Sequence, residues 1–275
     1  MKLFERFATA LREQHAVALA TRLDGPFAGA KLLVSEKASE GDLGSPGLNL
    51  AVAQEGRALL QTGGTALRSF GEDGEPVGDE VEVFIESFVG KPDMFVFGAI
   101  DFSRAVARIG KFLGYRVTVV DARPVFATKA RIPDADEVVV SWPDEFLAAA
   151  RVDSRTAIVV LTHDVKFDIP LLLVALRTNA GYIGAMGSRG THENRLAKLR
   201  EAGIDEAQFA RICGPIGLDI GARTPEETAI SIAAELIATR SGRSGGRLRD
   251  GTLPIHDNAA TPAPERTVES PRVAR

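Results

Sequence analysis

The residues best equipped for chemistry lie in one stretch, "GYIGAMGSRGTHENR", at 181–195. Gly184, Gly187 and Gly190 free the backbone for unusual angles. Arg189, His192 and Arg195 gather around an expected helix start, with Ser188 and Thr191 adding hydroxyls. Two guanidiniums beside unpaired helix amides suit a phosphate or a carboxylate. The plainer alternative is a capped helix carrying surface charge, with Glu193 pairing one arginine. A second glycine loop, "CGPIGLDIGARTPEE" at 213–227, sets Gly214 and Gly217 around Asp219, the only charge before Arg223. It reads either as a ligand contact or as a structural connection. Cys213, which opens it, reads as a small buried hydrophobe rather than a nucleophile.

Two further places carry polar groups at the ends of apolar runs. "VVLTHDVKFD" closes on His163 and Asp164, the candidate catalytic pair. Imidazole beside carboxylate can exchange protons or hold a metal, while Asp164 can equally cap the next helix. "MFVFGAIDFSRAVARIGKFLGYRVTVVD", 94–121, starts like a dinucleotide-binding unit and then departs from it. Gly98, followed by Ala99, supplies the tight turn, but Ile100 stands where the second glycine must admit a pyrophosphate. Ser103 is small enough for close helix packing, and Asp101 sits where it caps the helix and repels phosphate. Asp121, 23 residues after Gly98, stands where a ribose-binding acid belongs. Arg123 follows and can pair instead with a 2′-phosphate. An empty turn is the other reading.

These residues need a scaffold, and the apolar pattern supplies one. From 91 to 242 the rhythm is strand, helix, strand, helix. Strands are expected at 94–98, 116–121, 136–140, 157–162 and 181–186, and helices at 102–113, 143–150, 168–178, 191–202 and 225–240. Continuous apolar strands such as "TAIVVLT" indicate burial on both faces. The fold class is therefore α/β, a Rossmann-like doubly wound parallel sheet. Thr224-Pro225-Glu226-Glu227 signs the last helix with an N-cap, a proline at N1 and a capping-box glutamate. Residues 1–90 differ: short strands at 16–22, 30–36, 66–70 and 81–87 alternate with Gly/Pro/Asp turns around a helix near Leu48–Arg57. They make a smaller N-terminal α+β domain. Residues 243–275, rich in Gly, Pro, Ser and Arg, are expected to form a disordered tail.

Composition removes several function classes. The net charge of −4 over 275 residues leaves no basic footprint for nucleic acid. One cysteine excludes an internal disulfide framework and a CxxC metal or redox site. No set of residues has metal-ligand spacing. No apolar run reaches the ~18 residues of a membrane span, and the charged start "MKLFERFATALREQH" reads as an amphipathic helix. A cytoplasmic location is expected.

The downstream stretches resemble the xanthine dehydrogenase accessory family (XdhC/CoxI type). The likeness is carried by "GYIGAMGSRGTHENRLAKLREAGI", "ICGPIGLDIGARTPEETAISIAAELIA" and "VLTHDVKFDIPLLLVAL", and reaches back through "YRVTVVDARPVFATKARIPDADEVV". "AGAKLLVSE" and "GDEVEVFIES" carry it into the first domain. The resemblance implies an accessory protein for maturing molybdenum hydroxylases of the xanthine or carbon monoxide dehydrogenase type. It implies a bound molybdopterin cofactor, a molybdenum hydroxylase apoenzyme as partner, and a homodimer. It also implies a ligand-contact role for the glycine, His192 and arginine motifs. Two departures stand out. Ile100 and Asp101 replace the glycine and histidine that usually follow the Gly98-Ala99 position. Ser45-Pro46-Gly47-Leu48 and Val77-Gly78-Asp79 occupy places where the family carries cysteines. Cysteine-based molybdenum ligation or sulfur transfer is therefore closed to this chain. An NAD(P)-dependent oxidoreductase using His163 and Asp164, or a non-catalytic scaffold docking a partner enzyme, are the alternatives.

Overall fold

The computed structural model of the chain describes residues 3–252 except 14, 77, 79 and 163. After an opening helix, α1 (Leu3–Arg12), come β1 (Val17–Arg22), β2 (Lys31–Ser35), β3 (Ser39–Gly41), α2 (Pro46–Thr62), β4 (Gly64–Phe70) and β5 (Val81–Phe88). The strands form an antiparallel sheet in the order β3-β2-β1-β5-β4. The helix α2 begins at proline behind the N-cap Ser45, whose hydroxyl accepts from the Leu48 amide. Its Leu48, Val52 and Ala53 pack with Leu32, Val83 and Ile85 of the sheet.

The second half runs β6 (Asp93–Phe97), α3 (Asp101–Phe112), β7 (Arg116–Asp121), β8 (Glu137–Val140), α4 (Pro143–Ala149), β9 (Ala157–Val160), α5 (Val165–Ala175), β10 (Tyr182–Ala185), α6 (Arg189–Glu201), α7 (Glu206–Phe209), β11 (Ile212–Cys213) and α8 (Pro225–Arg240). Its six strands are all parallel, ordered β11-β10-β9-β6-β7-β8. Both faces are covered, as the continuous apolar strands require. Alternate residues Met94, Val96, Val117 and Val119 meet Val106 of α3 and Ile232 and Leu236 of α8. Their neighbours Phe95, Phe97 and Val120 meet Leu147 of α4, Leu171 and Leu172 of α5, and Leu199 of α6.

The order reverses between β6 and β9, so the crevice outside their carboxyl ends is where such sheets take ligands. Helix α5 begins at Val165, three residues before its expected start. Pro170 lies inside the helix and, lacking an N–H, mimics a helix start in the sequence. Both sheets belong to one compact unit that ends at Gly245; a separate short unit begins at Gly246. The expected tail falls largely on 253–275, outside the described residues, while Leu248–Asp250 forms a single 3-10 turn. Among the described residues, no helix is long and apolar enough to cross a membrane.

Candidate functional site

Three turns meet at the carboxyl edge, after β6, β9 and β10. The first is closed on itself. Gly98 has a positive φ of 105°, and a Cβ there would stand 2.8 Å from the Thr162 methyl at the end of β9. Only glycine lets the two strand ends pass this closely. The buried Asp121, 3% exposed, accepts from the Ala99 amide at 2.7 Å and from the Arg123 amide at 2.9 Å. The Arg123 guanidinium adds two bonds, Nε at 2.9 Å and Nη2 at 2.8 Å. Burial opposes ionisation of Asp121, but Arg123 and the Ala99 amide outweigh it and hold the carboxyl below its usual value. Arg123 in turn lies over the Phe126 ring at 4.4 Å.

Asp121 and Arg123, expected to read a ribose or a 2′-phosphate, are paired with each other through Nε and Nη2 of Arg123, whose side chain stays 45% exposed. Asp101 does not cap α3. The Ser103 hydroxyl accepts from the Ile100 amide at 3.1 Å and donates to the Gly98 carbonyl, so the helix start is closed from within.

The second turn follows β9. His163 lies outside the described residues. Asp164, offered as its acid–base partner, instead N-caps α5 by accepting from the Lys166 amide at 3.1 Å, with Lys166 Nζ 3.6 Å away. That is the bland role the sequence also allowed. Among the described residues, no group of three or more His, Cys, Asp or Glu could hold a metal ion.

The third turn follows β10 and is different in kind. Gly184 lies inside β10, where a Cβ would strike the Ile216 side chain and the Tyr182 hydroxyl. Gly187, at φ 150°, brings the turn against Thr191. Ser188 caps α6, its Oγ accepting from the Thr191 amide at 3.1 Å. The amides of Arg189 and Gly190, in the first helical turn, have no intrahelical acceptor. Arg189 itself is exposed, while Arg195 one and a half turns on is only 2% exposed. Arg195 Nη2 reaches Asp168 Oδ2 at 2.6 Å and the Met186 carbonyl at 2.9 Å. Its Nε and Nη1 are buried without a partner, as is Nδ1 of His192.

Unmatched buried donors cost free energy that a satisfied site recovers, about 1–3 kcal/mol each. Burial and the neighbouring Arg195 lower the pKa of His192, which favours the neutral ring. The ring rests on Gly214, where a Cβ would come within 2.3 Å of Nδ1. The glycine loop after β11 thus makes room for His192.

Asp168 and Thr162 escaped the sequence reading. Asp168 is 2% exposed and also takes the Thr162 hydroxyl at 2.5 Å, so one carboxylate ties α5, the turn after β9 and α6 together. A lone acid within "VKFDIPLLLVAL" was the available signal. Glu235 was missed as well. Its Oε2 accepts from the Tyr182 hydroxyl at 2.6 Å and from the Gly217 amide at 2.9 Å, bracing the 213–221 loop against α8. Burial, then Glu235, pushes the Cys213 thiol up to about 11, which leaves it unreactive. Asp219 is exposed on the same loop.

Residues 94–236, more than half of the chain, match the XdhC Rossmann domain. The chain belongs to the XdhC family. Within this XdhC chain the match covers all three turns and both glycine loops. A probable xanthine dehydrogenase subunit of Bacillus subtilis is 33% identical over 158 residues, 58% of this chain and 46% of that protein. The molybdenum cofactor insertion chaperone PaoD of Escherichia coli is 37% identical over 93 residues, 34% of this chain and 29% of that protein. The chain spans less than half the length of these curated relatives. A crystal structure described as a xanthine dehydrogenase from Bacillus halodurans superposes with a TM-score of 0.61 at 24% identity. It covers 86% of this chain and 66% of that one; at that identity the likeness speaks for the fold alone.

Proposed function

We propose that this chain is an accessory protein in the maturation of molybdenum hydroxylases, holding a molybdopterin-type cofactor by its phosphate at the start of α6. One observation carries the reading: α6 holds the buried Arg195 with two unmatched N–H groups, and opens on Arg189 and Gly190 amides that lack intrahelical acceptors. That donor set fits an oxyanion and supplies no acid for a hydride-transfer reaction. When bound, the cofactor brings the molybdenum chemistry of the client enzyme; the chain's own part is to bind, orient and shield it. Exposed Arg189 draws the anion in, Gly187 and Gly190 give it access to backbone, and Asp168 fixes Arg195. The relatives' names support the assignment: one is a molybdenum cofactor insertion chaperone, another a probable xanthine dehydrogenase subunit.

The partner in this reading is a molybdenum hydroxylase apoenzyme, and the working form is a homodimer. Phe112 at 82% exposure and Ile230 at 53% leave bare apolar surface along the α3–α8 groove, which a second copy would cover. The test is co-purification. The chain mixed with molybdopterin retains it through gel filtration, Arg189→Ala retains less, and the loaded chain restores activity to an apo-hydroxylase. Failure of the wild-type chain to retain molybdopterin, with capture of the apoenzyme intact, would replace this reading by that of a scaffold.

A further inference from the structure

A cavity of about 1000 Å³ opens at the amino ends of the parallel strands, the edge opposite α6. It lies between the connector 89–92, the residues that lead into β7, β9 and β10, and the last turn of α8. Its size is that of a small-molecule site, and ligand pockets are typically apolar with a few placed polar groups. Three features narrow what it could take.

The first is charge. Lys91, Arg155 and Arg240 line the cavity, and no aspartate or glutamate does. Arg155 brings its own counter-ion, Asp153 at 3.1 Å, and donates to the Gly90 carbonyl at 2.7 Å. Arg240 is exposed and has the hydroxyl of the buried Tyr115 as its neighbour. Lys91 is exposed and in no ion pair with a described residue. Lys91 interacts electrostatically with Asp136, outside the cavity lining, so Arg240 is the lining cation with no carboxylate against it among the described residues.

The second is bare backbone. A Cβ built at Gly64, Gly90 or Gly114 meets no atom within 4 Å, so these three glycines border open space. A flat molecule can approach the main chain there as it could not over side chains. The third is the apolar wall, supplied by Val89, Leu113 and Leu236.

We infer that this cavity is a second binding site, which takes a small organic anion with a flat, largely apolar body, of the aromatic carboxylate class. Cations in a lining without carboxylates attract the anionic group, and the apolar wall and glycine floor accept the ring. The inference does not rest on the reading of α6, which faces the other edge of the sheet.

Calorimetry on the full chain tests it, with 2-naphthoate as probe, neutral 2-naphthol as control, and inorganic phosphate present throughout to saturate the α6 start. The carboxylate is expected to bind one to one, with neutral 2-naphthol about tenfold weaker. Gly90→Leu fills the floor at a position with no positive φ, and should abolish binding. The Lys91→Gln/Arg240→Gln pair, which leaves the packing alone, should weaken it about tenfold and keeps the test alive if Gly90→Leu fails to fold. Arg189→Ala should change nothing. No binding by the wild-type chain, undiminished binding by the lysine–arginine pair, or loss in Arg189→Ala alone would each overturn the inference.

Discussion

The turns after β6 and β10 share a strand, a glycine with positive φ and a helix start, yet they end in opposite conditions. At 98–103 the buried side chains are paired, Asp121 with Arg123 and the Ala99 amide, Ser103 with Ile100 and Gly98, while the Asp101 and Phe102 amides, like those that open α6, have no intrahelical acceptor. At 187–195 the cap uses one amide, and the buried arginine is left with unmatched donors. A Rossmann-like glycine turn is thus no evidence of a ligand by itself. What marks a site is the polar group that the fold leaves unpaired.

The largest expected effect sharpens this contrast. Asp168→Ala strands the buried Arg195, and loss of one partner from a buried pair typically costs about 3–5 kcal/mol. Urea unfolding should show a loss of that size; a loss below about 1 kcal/mol would mean that Arg195 is already satisfied otherwise. Gly98→Ala comes next. The φ of 105° and the 2.8 Å approach to Thr162 predict a cost of about 1–3 kcal/mol, with binding of phosphate unchanged.

Much of this scaffold is legible in the sequence, for identifiable reasons. The α8 start is written in Thr224-Pro225-Glu226-Glu227, and the structure realises it, the Thr224 hydroxyl accepting from the Glu227 amide at 3.2 Å. The strands β6, β9 and β10 show as apolar runs, and β7 as one broken only by Thr118, because both faces are buried. The minimal strand β11 and the start of α5 are not legible. Two residues carry no periodicity, and Pro170 sits where a helix start would favour it. The site residues divide along the same line. Glycines and arginines of 184–195 announce themselves by type, whereas the Arg195–Asp168 pair depends on α5 and α6 meeting side by side, a tertiary fact. The pairing of Asp121 with Arg123 is illegible for a related reason: their spacing matches a ribose reader, and only the structure shows them closing on each other. The expected cysteine-less places at Val77 and Asp79 lie outside the described residues.

Smaller effects separate the two turns further. Arg123→Ala frees Asp121 and should lower the melting temperature while leaving phosphate affinity within about twofold of wild type. A tenfold loss would instead place Arg123 on the ligand. Acid provides an independent check on His192. Its pKa is lowered in the folded chain, so the unfolded chain binds more protons as pH drops below about 6.5. Stability should therefore be full above that pH and fall below it, and a His192→Gln variant should flatten the slope between pH 5 and 6.5. A slope unaltered in that variant would assign the loss to other groups. Ile100→Gly is expected to do least: Asp121 and Ser103 hold the Ala99 and Ile100 amides, so removing the side chain should not raise phosphate affinity.

The most direct measurement is a titration of the ¹⁵N-labelled chain with inorganic phosphate, followed residue by residue. Saturable shifts at the Arg189, Gly190 and His192 amides and at the Arg195 Nε–H, with 98–103 silent, are expected. Shifts centred on Gly98–Ser103, or none anywhere up to millimolar phosphate, would contradict an anion seat at the start of α6.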